Sequence, residues 1–181
     1  MPMDDALRDE LEQMRAADQA LREEAMRVVQ EHGMDSPHYA ELRTRGRAQD
    51  AKHVARLVEI LDEQGWPGKR RVGDLASSGA FLVLQHADVA VQEKYLPMAR
   101  QAAKSGEFEP ALLALLEDRV LMTRGKKQLY GSQLTRGPDG KPRLWPIADE
   151  ESVHERRASM GMEPLAAYLK RFGLEAEDLA P

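Results

Sequence analysis

Apolar residues return at helical spacing along most of the chain. From Asp4 to about Glu31 the stripe Leu7, Leu11, Met14, Leu21, Ala25 and Val28 advances in steps of four, three and seven. That period predicts one long amphipathic helix, stopped at His32-Gly33. Asp35-Ser36-Pro37 opens a second helix with Pro37 in its first turn. It reaches Gln64, turns Val54, Leu57, Val58 and Leu61 inward, and carries Gly46 as a weak point midway. Gly65-Trp66-Pro67-Gly68 breaks the pattern. A third helix follows, capped by Asp74, Ser77 or Ser78, through the run Phe81 to Val91. Pro97 is expected to break or kink it, and a shorter helix continues to Lys104 before Ser105-Gly106.

Pro110 starts a further helix to about Thr123, stopped by Gly125. Then comes the one β signal: Lys127 to Thr135 and Arg143 to Pro146 flank Gly137-Pro138-Asp139-Gly140, the pattern of a hairpin. Two short helices, roughly Glu150 to Met160 and Pro164 to Phe172, precede closing residues expected to fray. No internal repeat or low-complexity tract interrupts this order. The predicted fold is mainly α: a compact bundle of about six to seven helices with one small β-hairpin (about 127–146), in a single helical domain over 1–181.

Composition supports that fold and narrows the function. The chain has 181 residues, 42% hydrophobic and 31% charged, with only 5% aromatic. A core built on Leu, Ala and Met favours helices over sheets. The net charge of −5, with acids and bases interleaved, does not suggest a nucleic-acid surface. Lys69-Arg70-Arg71 follows a turn and reads as a solvated loop. There is no cysteine, which excludes disulfides, thiolate nucleophiles and Cys-ligated zinc. Met1 to Arg8 is acidic and lacks the apolar core of a signal peptide, and no apolar run approaches membrane-spanning length. The expected setting is the cytoplasm, without nucleic-acid or membrane partners.

The informative positions are polar residues on apolar stripes. Asp18 falls between Met14 and Leu21 in the first helix. Asp50 shares a face with Val54, Leu57 and Leu61. On a continuous third helix Gln85, Asp88 and Gln92 share a face with Phe81, Val89 and Leu96. Arg119 follows Leu112 and Leu116 by seven and three residues. An unpaired buried charge costs several kcal/mol or more, so these groups meet each other, water or a ligand. A buried ion-pair network (Asp18 or Asp50 with Arg119), a solvent-lined pocket and an oligomer interface all answer that demand.

Several segments carry a resemblance. Gly65-Trp66-Pro67, Val72-Gly73, Gln85-His86-Ala87-Asp88, Asp118-Arg119-Val120, Gln128-Leu129-Tyr130-Gly131-Ser132-Gln133, Pro146-Ile147 and Arg156-Arg157 stand at spaced positions, and Asp18-Gln19 and Arg22 precede them. The chain resembles an uncharacterised bacterial domain family of unknown function with QHAD and QxYG[ST]Q signatures, over roughly residues 14 to 170. The resemblance implies site residues without an activity, and its signature positions overlap the misplaced polar residues. His53 and His154 fall outside it.

The chemistry these types support is acid–base. His86 is the candidate proton carrier, since an unperturbed imidazole titrates near ~6.5. Asp88 or Asp118 would orient it, as a carboxylate does in a triad. Arg119 would hold an anionic group through its planar fork. Asp18, Gln85, Gln128, Tyr130 and Gln133 would position the ligand, although the last three equally suit a cluster bracing a turn. Asp50-x-x-His53 and Glu151-x-x-His154 have a spacing seen in di-iron bundles, but one common by chance, and no metal or cofactor is expected. No nucleophile elbow, phosphate-cradling loop or dinucleotide fingerprint is present.

The expected function is therefore a small metal-independent enzyme acting on a compact polar or anionic substrate by His-assisted hydrolysis or rearrangement. A non-catalytic small-molecule sensor, or a structural or partner-binding protein with a sealed ion-pair network, are the alternatives. The seven-residue spacing of the first helix suits packing in cis or pairing with a second copy.

Overall fold

A computed structural model describes residues 3–174; the closing residues expected to fray lie largely outside them. The fold is mainly α, with one antiparallel two-stranded hairpin. The chain forms two compact units, 1–108 and 109–181, which are described in turn.

The first unit begins with helix α1 (Asp5–His32), whose N-cap Asp4 accepts a bond from the Leu7 amide. Gly33, at φ 82°, ends it. Helix α2 (Pro37–Gln64) starts at the cap Ser36, whose hydroxyl accepts from Tyr39 N. Both helices run as their apolar period predicts. Their burial, however, is uneven. Leu7, Leu11, Met14 and Asp18 of α1 are buried, while Leu21, Ala25 and Val28 beyond them are only half-buried.

Helix α3 (Lys69–Leu84) begins earlier than the cap signals imply, and Gly73, at φ 84°, interrupts it. Lys69-Arg70-Arg71 is thus the first turn of a helix and not a solvated loop. Arg70 pairs with Glu107 and Arg71 with Asp4, which compensates their charge. Further along, a Cβ on Gly79 would stand 2.7 Å from the Leu11 carbonyl oxygen, so α1 and α3 approach to backbone contact there.

The predicted helix through Phe81 to Val91 does not form. Helix α3 ends at Leu84, residues 85–88 make a turn, and helix α4 (Val89–Lys104) restarts after Asp88. The reason is a side chain: Gln92 Nε2 donates to the carbonyls of Gln85 (3.1 Å) and Ala87 (2.9 Å), satisfying backbone that a continuous helix would have bonded internally. Conversely, Pro97 neither ends nor divides α4. It sits on the exposed face, where water can serve the carbonyl left without a donor.

The second unit holds helix α5 (Pro110–Thr123), strands β1 (Leu134–Arg136) and β2 (Pro142–Leu144), a 3-10 turn (Glu150–Ser152), and helices α6 (Val153–Ser159) and α7 (Leu165–Lys170). In the hairpin Leu134 pairs with Leu144 and Arg136 with Pro142. Leu144, Ile147, Val153, Leu165 and Leu169 form its core cluster. The buried face of α5 is phased on Leu113, Leu116, Glu117 and Val120, with Asp118 beside them. The buried face is thus rotated from the Leu112-based phase: Leu112 and Arg119 are half-buried, and Glu117 and Asp118 are buried in place of Arg119.

Candidate functional site

Where α1 and α2 extend past their well-buried halves, a cavity of about 280 Å³ lies between them. Its polar wall follows from helical spacing. Asp18 and Arg22 stand one turn apart on α1; Arg43, Arg47 and Asp50 share one face of α2; His86 reaches in from the 85–88 turn. Gly46, far from merely weakening α2, lines the same space. A Cβ there would come within 2.9 Å of Leu21 Cδ2.

One nitrogen organises the wall. His86 Nε2 lies 3.1 Å from Asp18 Oδ1 and 2.7 Å from Arg22 Nη2. Arg22 Nε in turn donates to Asp18 Oδ2 at 2.8 Å, and Gln19 Nε2 donates to the same oxygen at 2.9 Å. An imidazole nitrogen is either donor or acceptor. With a lone pair on Nε2, Arg22 donates to it; with a proton there, Asp18 accepts it. The two neighbours hold the two states of one atom. Asp18 is 10% exposed at its side chain, His86 27% and Arg22 47%, so the carboxylate is fixed while the groups it holds face the cavity.

Arg43 and Arg47 make no ion pair among the described residues; Arg43 lies 6.0 Å over the Tyr39 ring. Their charge is available to an anion.

Of the remaining residues expected at a site, Gln85 and Asp88 belong to the turn and the start of α4, and neither lines the cavity. The carboxylate facing His86 is Asp18. Sequence reasoning missed Arg43 and Arg47. Their signal was the i, i+4, i+7 row ending at Asp50, which carries no apolar residue to attract attention.

Asp118, Gln128, Tyr130 and Gln133 form a second polar cluster, within the second unit. Asp118 is fully buried and collects donors from one loop: Leu129 N at 2.7 Å, Tyr130 N at 3.1 Å, Ser132 N at 3.0 Å and Ser132 Oγ at 2.9 Å. Burial pushes its carboxyl above the usual carboxylate range, and these donors pull it back. Gln128 closes the loop on itself, accepting from Gln133 N (2.8 Å) and donating to Gln133 O and Trp145 O. Gln133 Nε2 donates to Leu115 O, and Tyr130 Oη to Glu117. Arg157, buried, donates to Tyr130 O at 2.6 Å, while Arg156 holds Leu129 O at 2.8 Å. Gly131, at φ 69°, passes so near Ile147 and Leu165 that a Cβ would stand within 3 Å of each. This segment is not the long strand predicted from Lys127, because side chains have taken its backbone groups.

The model of a family of unknown function, DUF6624, matches residues 5–178, and the chain belongs to that family. No curated protein and no solved structure matches it.

Proposed function

Within a family that carries no assigned activity, we propose that the cavity of the first unit binds a compact anionic substrate and that His86 moves a proton on it. The observation that carries this reading is the placement of Asp18 Oδ1 and Arg22 Nη2 on the same His86 nitrogen, at the wall of a cavity. Proton transfer needs a group stable in both its forms, and here each form has a partner already in place. Substrate size follows from the volume, which lies just below the range of about 300–1,000 Å³ for drug-sized sites and so suits a compact molecule. Substrate charge follows from Arg43 and Arg47.

In this scheme an anionic group pairs with Arg43 and Arg47 and draws Arg22 toward itself. Departure of Arg22 bares the Nε2 lone pair, which takes a proton from the substrate or from an attacking water. The imidazolium so formed donates to Asp18, and the proton is returned to the product. Hydrolysis and rearrangement both need no more than this, and neither requires a metal at His86.

Thermal-shift screening against compact phosphorylated and carboxylated compounds tests the reading. A ligand that raises the melting temperature is expected to lose about tenfold or more in affinity in Arg47→Ala, equivalent to about 1.4 kcal/mol. His86→Gln is expected to retain the ligand and to lose turnover by about 100-fold or more. A ligand recovered unchanged after long incubation with the wild type marks a binding module. Indifference of both binding and turnover to His86→Gln and Arg47→Ala contradicts the assignment.

A further inference from the structure

Three groups that bear lone pairs converge on the cavity from three elements. Asp18 of α1, Asp50 of α2 and His86 of the 85–88 turn each place one ligand atom so that all three lie within 4.8 Å of one another. We propose that they form a site for a divalent transition cation of the Zn²⁺ type, which displaces Arg22 from His86 and silences its proton transfer.

The geometry suits such an ion. Zn²⁺ bonds to imidazole nitrogen and carboxylate oxygen at ~2.0–2.2 Å, so two ligands on opposite sides of it stand ~4.2 Å apart and tetrahedral neighbours somewhat closer. The separation of 3.1 Å between His86 Nε2 and Asp18 Oδ1 is already that of adjacent ligands. An Asp50 oxygen, within 4.8 Å of both, closes the set by moving up to about 1.4 Å toward tetrahedral spacing. A mixed nitrogen and oxygen set of three, with the remaining position open to the cavity, selects transition ions over Mg²⁺ and Ca²⁺. Those two take oxygen ligands almost alone.

A second observation points to the same place. A positive group is already held there: Arg22 Nη2 is 2.7 Å from His86 Nε2 and 3.4 Å from Asp18 Oδ1. The guanidinium is a tethered cation that the two acceptors share. Its side chain is 47% exposed and can swing outward, whereas that of Asp18 is only 10% exposed. Arg43 and Arg47 on the same wall oppose the ion's charge, which keeps its retention dependent on every ligand.

The inhibitory consequence rests on the proton-transfer reading above; cation binding itself does not. One lone pair on Nε2 cannot both bind an ion and accept a proton. Calorimetric titration of the untagged, chelator-treated full chain with zinc chloride and with magnesium chloride tests the site without any substrate. The expected result is saturable one-site uptake of Zn²⁺ and none of Mg²⁺. Asp50→Asn and His86→Gln should each weaken Zn²⁺ at least tenfold, with thermal unfolding in chelator establishing that each folds. Arg22→Ala, which removes the tethered competitor, should tighten Zn²⁺ several-fold. That last change separates this site from adventitious binding at other histidines, which Arg22 does not touch. The absence of stoichiometric uptake by both wild type and Arg22→Ala overturns the site, and so does wild-type affinity in Asp50→Asn and His86→Gln. Turnover of an anionic substrate that persists at saturating Zn²⁺ overturns the silencing while leaving the site.

Discussion

Arg22 Nη2 and His86 Nε2 stand 2.7 Å apart, joining α1 to the turn between α3 and α4. The same guanidinium reaches Asp18 through its Nε at 2.8 Å. Arg22 thus touches both members of the His86–Asp18 pair. Replacing it should be felt as chemistry more than as stability. Since Arg22 is about half exposed, Arg22→Ala is expected to cost no more than about 1 kcal/mol in chemical denaturation. A loss several times larger would mean that Arg22 holds the fold and not the histidine.

Asp118 gives the opposite expectation. Its carboxylate accepts from the amides of Leu129, Tyr130 and Ser132 inside the second unit. Each buried donor left without an acceptor costs about 1–3 kcal/mol. Asp118→Ala should therefore destabilise by about 3 kcal/mol or more and expose residues 128–133 to limited proteolysis. An unfolding midpoint within error of the wild type would show that the loop does not depend on this carboxylate.

The two close helix approaches differ in what opposes a methyl group. At Gly79 it is the backbone oxygen of Leu11, at 2.7 Å; at Gly46 it is the end of the flexible Leu21 side chain, at 2.9 Å. Gly79→Ala should cost about 1–3 kcal/mol as α1 is pushed away. Gly46→Ala should cost clearly less and narrow the cavity, lowering affinity for any ligand found there. Equal losses of stability would contradict the distinction.

Acid should act on Glu107 and Asp118 with opposite sign. In the first unit, the Arg70 amide and guanidinium hold Glu107 below the usual carboxylate range. That contribution is present above the ordinary Glu value and is lost as pH falls through the lowered one. In the second unit, burial raises Asp118, so its contribution is full below the ordinary Asp value and is lost as pH rises through the raised one. Trp66 lies in one unit and Trp145 in the other. Fluorescence of Trp145→Phe and Trp66→Phe chains should then report the first unit weakening on acidification toward pH ~4, more steeply than the second. Glu107→Gln should flatten the first curve. Identical acid profiles for the two reporters would contradict these signs.

Much of the fold was legible because its helices carry their own punctuation. Ser36-Pro37, Gly33, Gly65 and Pro110 mark ends that the structure keeps. The 85–88 turn was not legible, because apolar runs flank it on both sides with no Gly or Pro between them, and the group that stabilises it, Gln92, lies a full turn beyond. Pro97 misled for the converse reason: a proline on an exposed helix face interrupts less than its rule implies. At the site, the Asp18 anomaly pointed to the cavity, since a buried acid on an apolar stripe requires a partner. Which histidine and which arginine answer it depends on how α1, α2 and the turn meet, and no spacing within one helix encodes that. The loop signature around Tyr130 was visible as a motif, yet the backbone partners that engage its polar groups come from folding alone.

The central claim is that Arg22 and Asp18 hold the two forms of one His86 nitrogen. Long-range ¹H–¹⁵N spectra of the His86 ring, assigned with His86→Gln, address it directly at alkaline pH, where an imidazole is neutral. In the wild type the proton is expected on Nδ1, with Nε2 accepting from Arg22; in Arg22→Ala it is expected to move to Nε2 and donate to Asp18. A ring that carries its proton on the same nitrogen in both proteins would contradict the account.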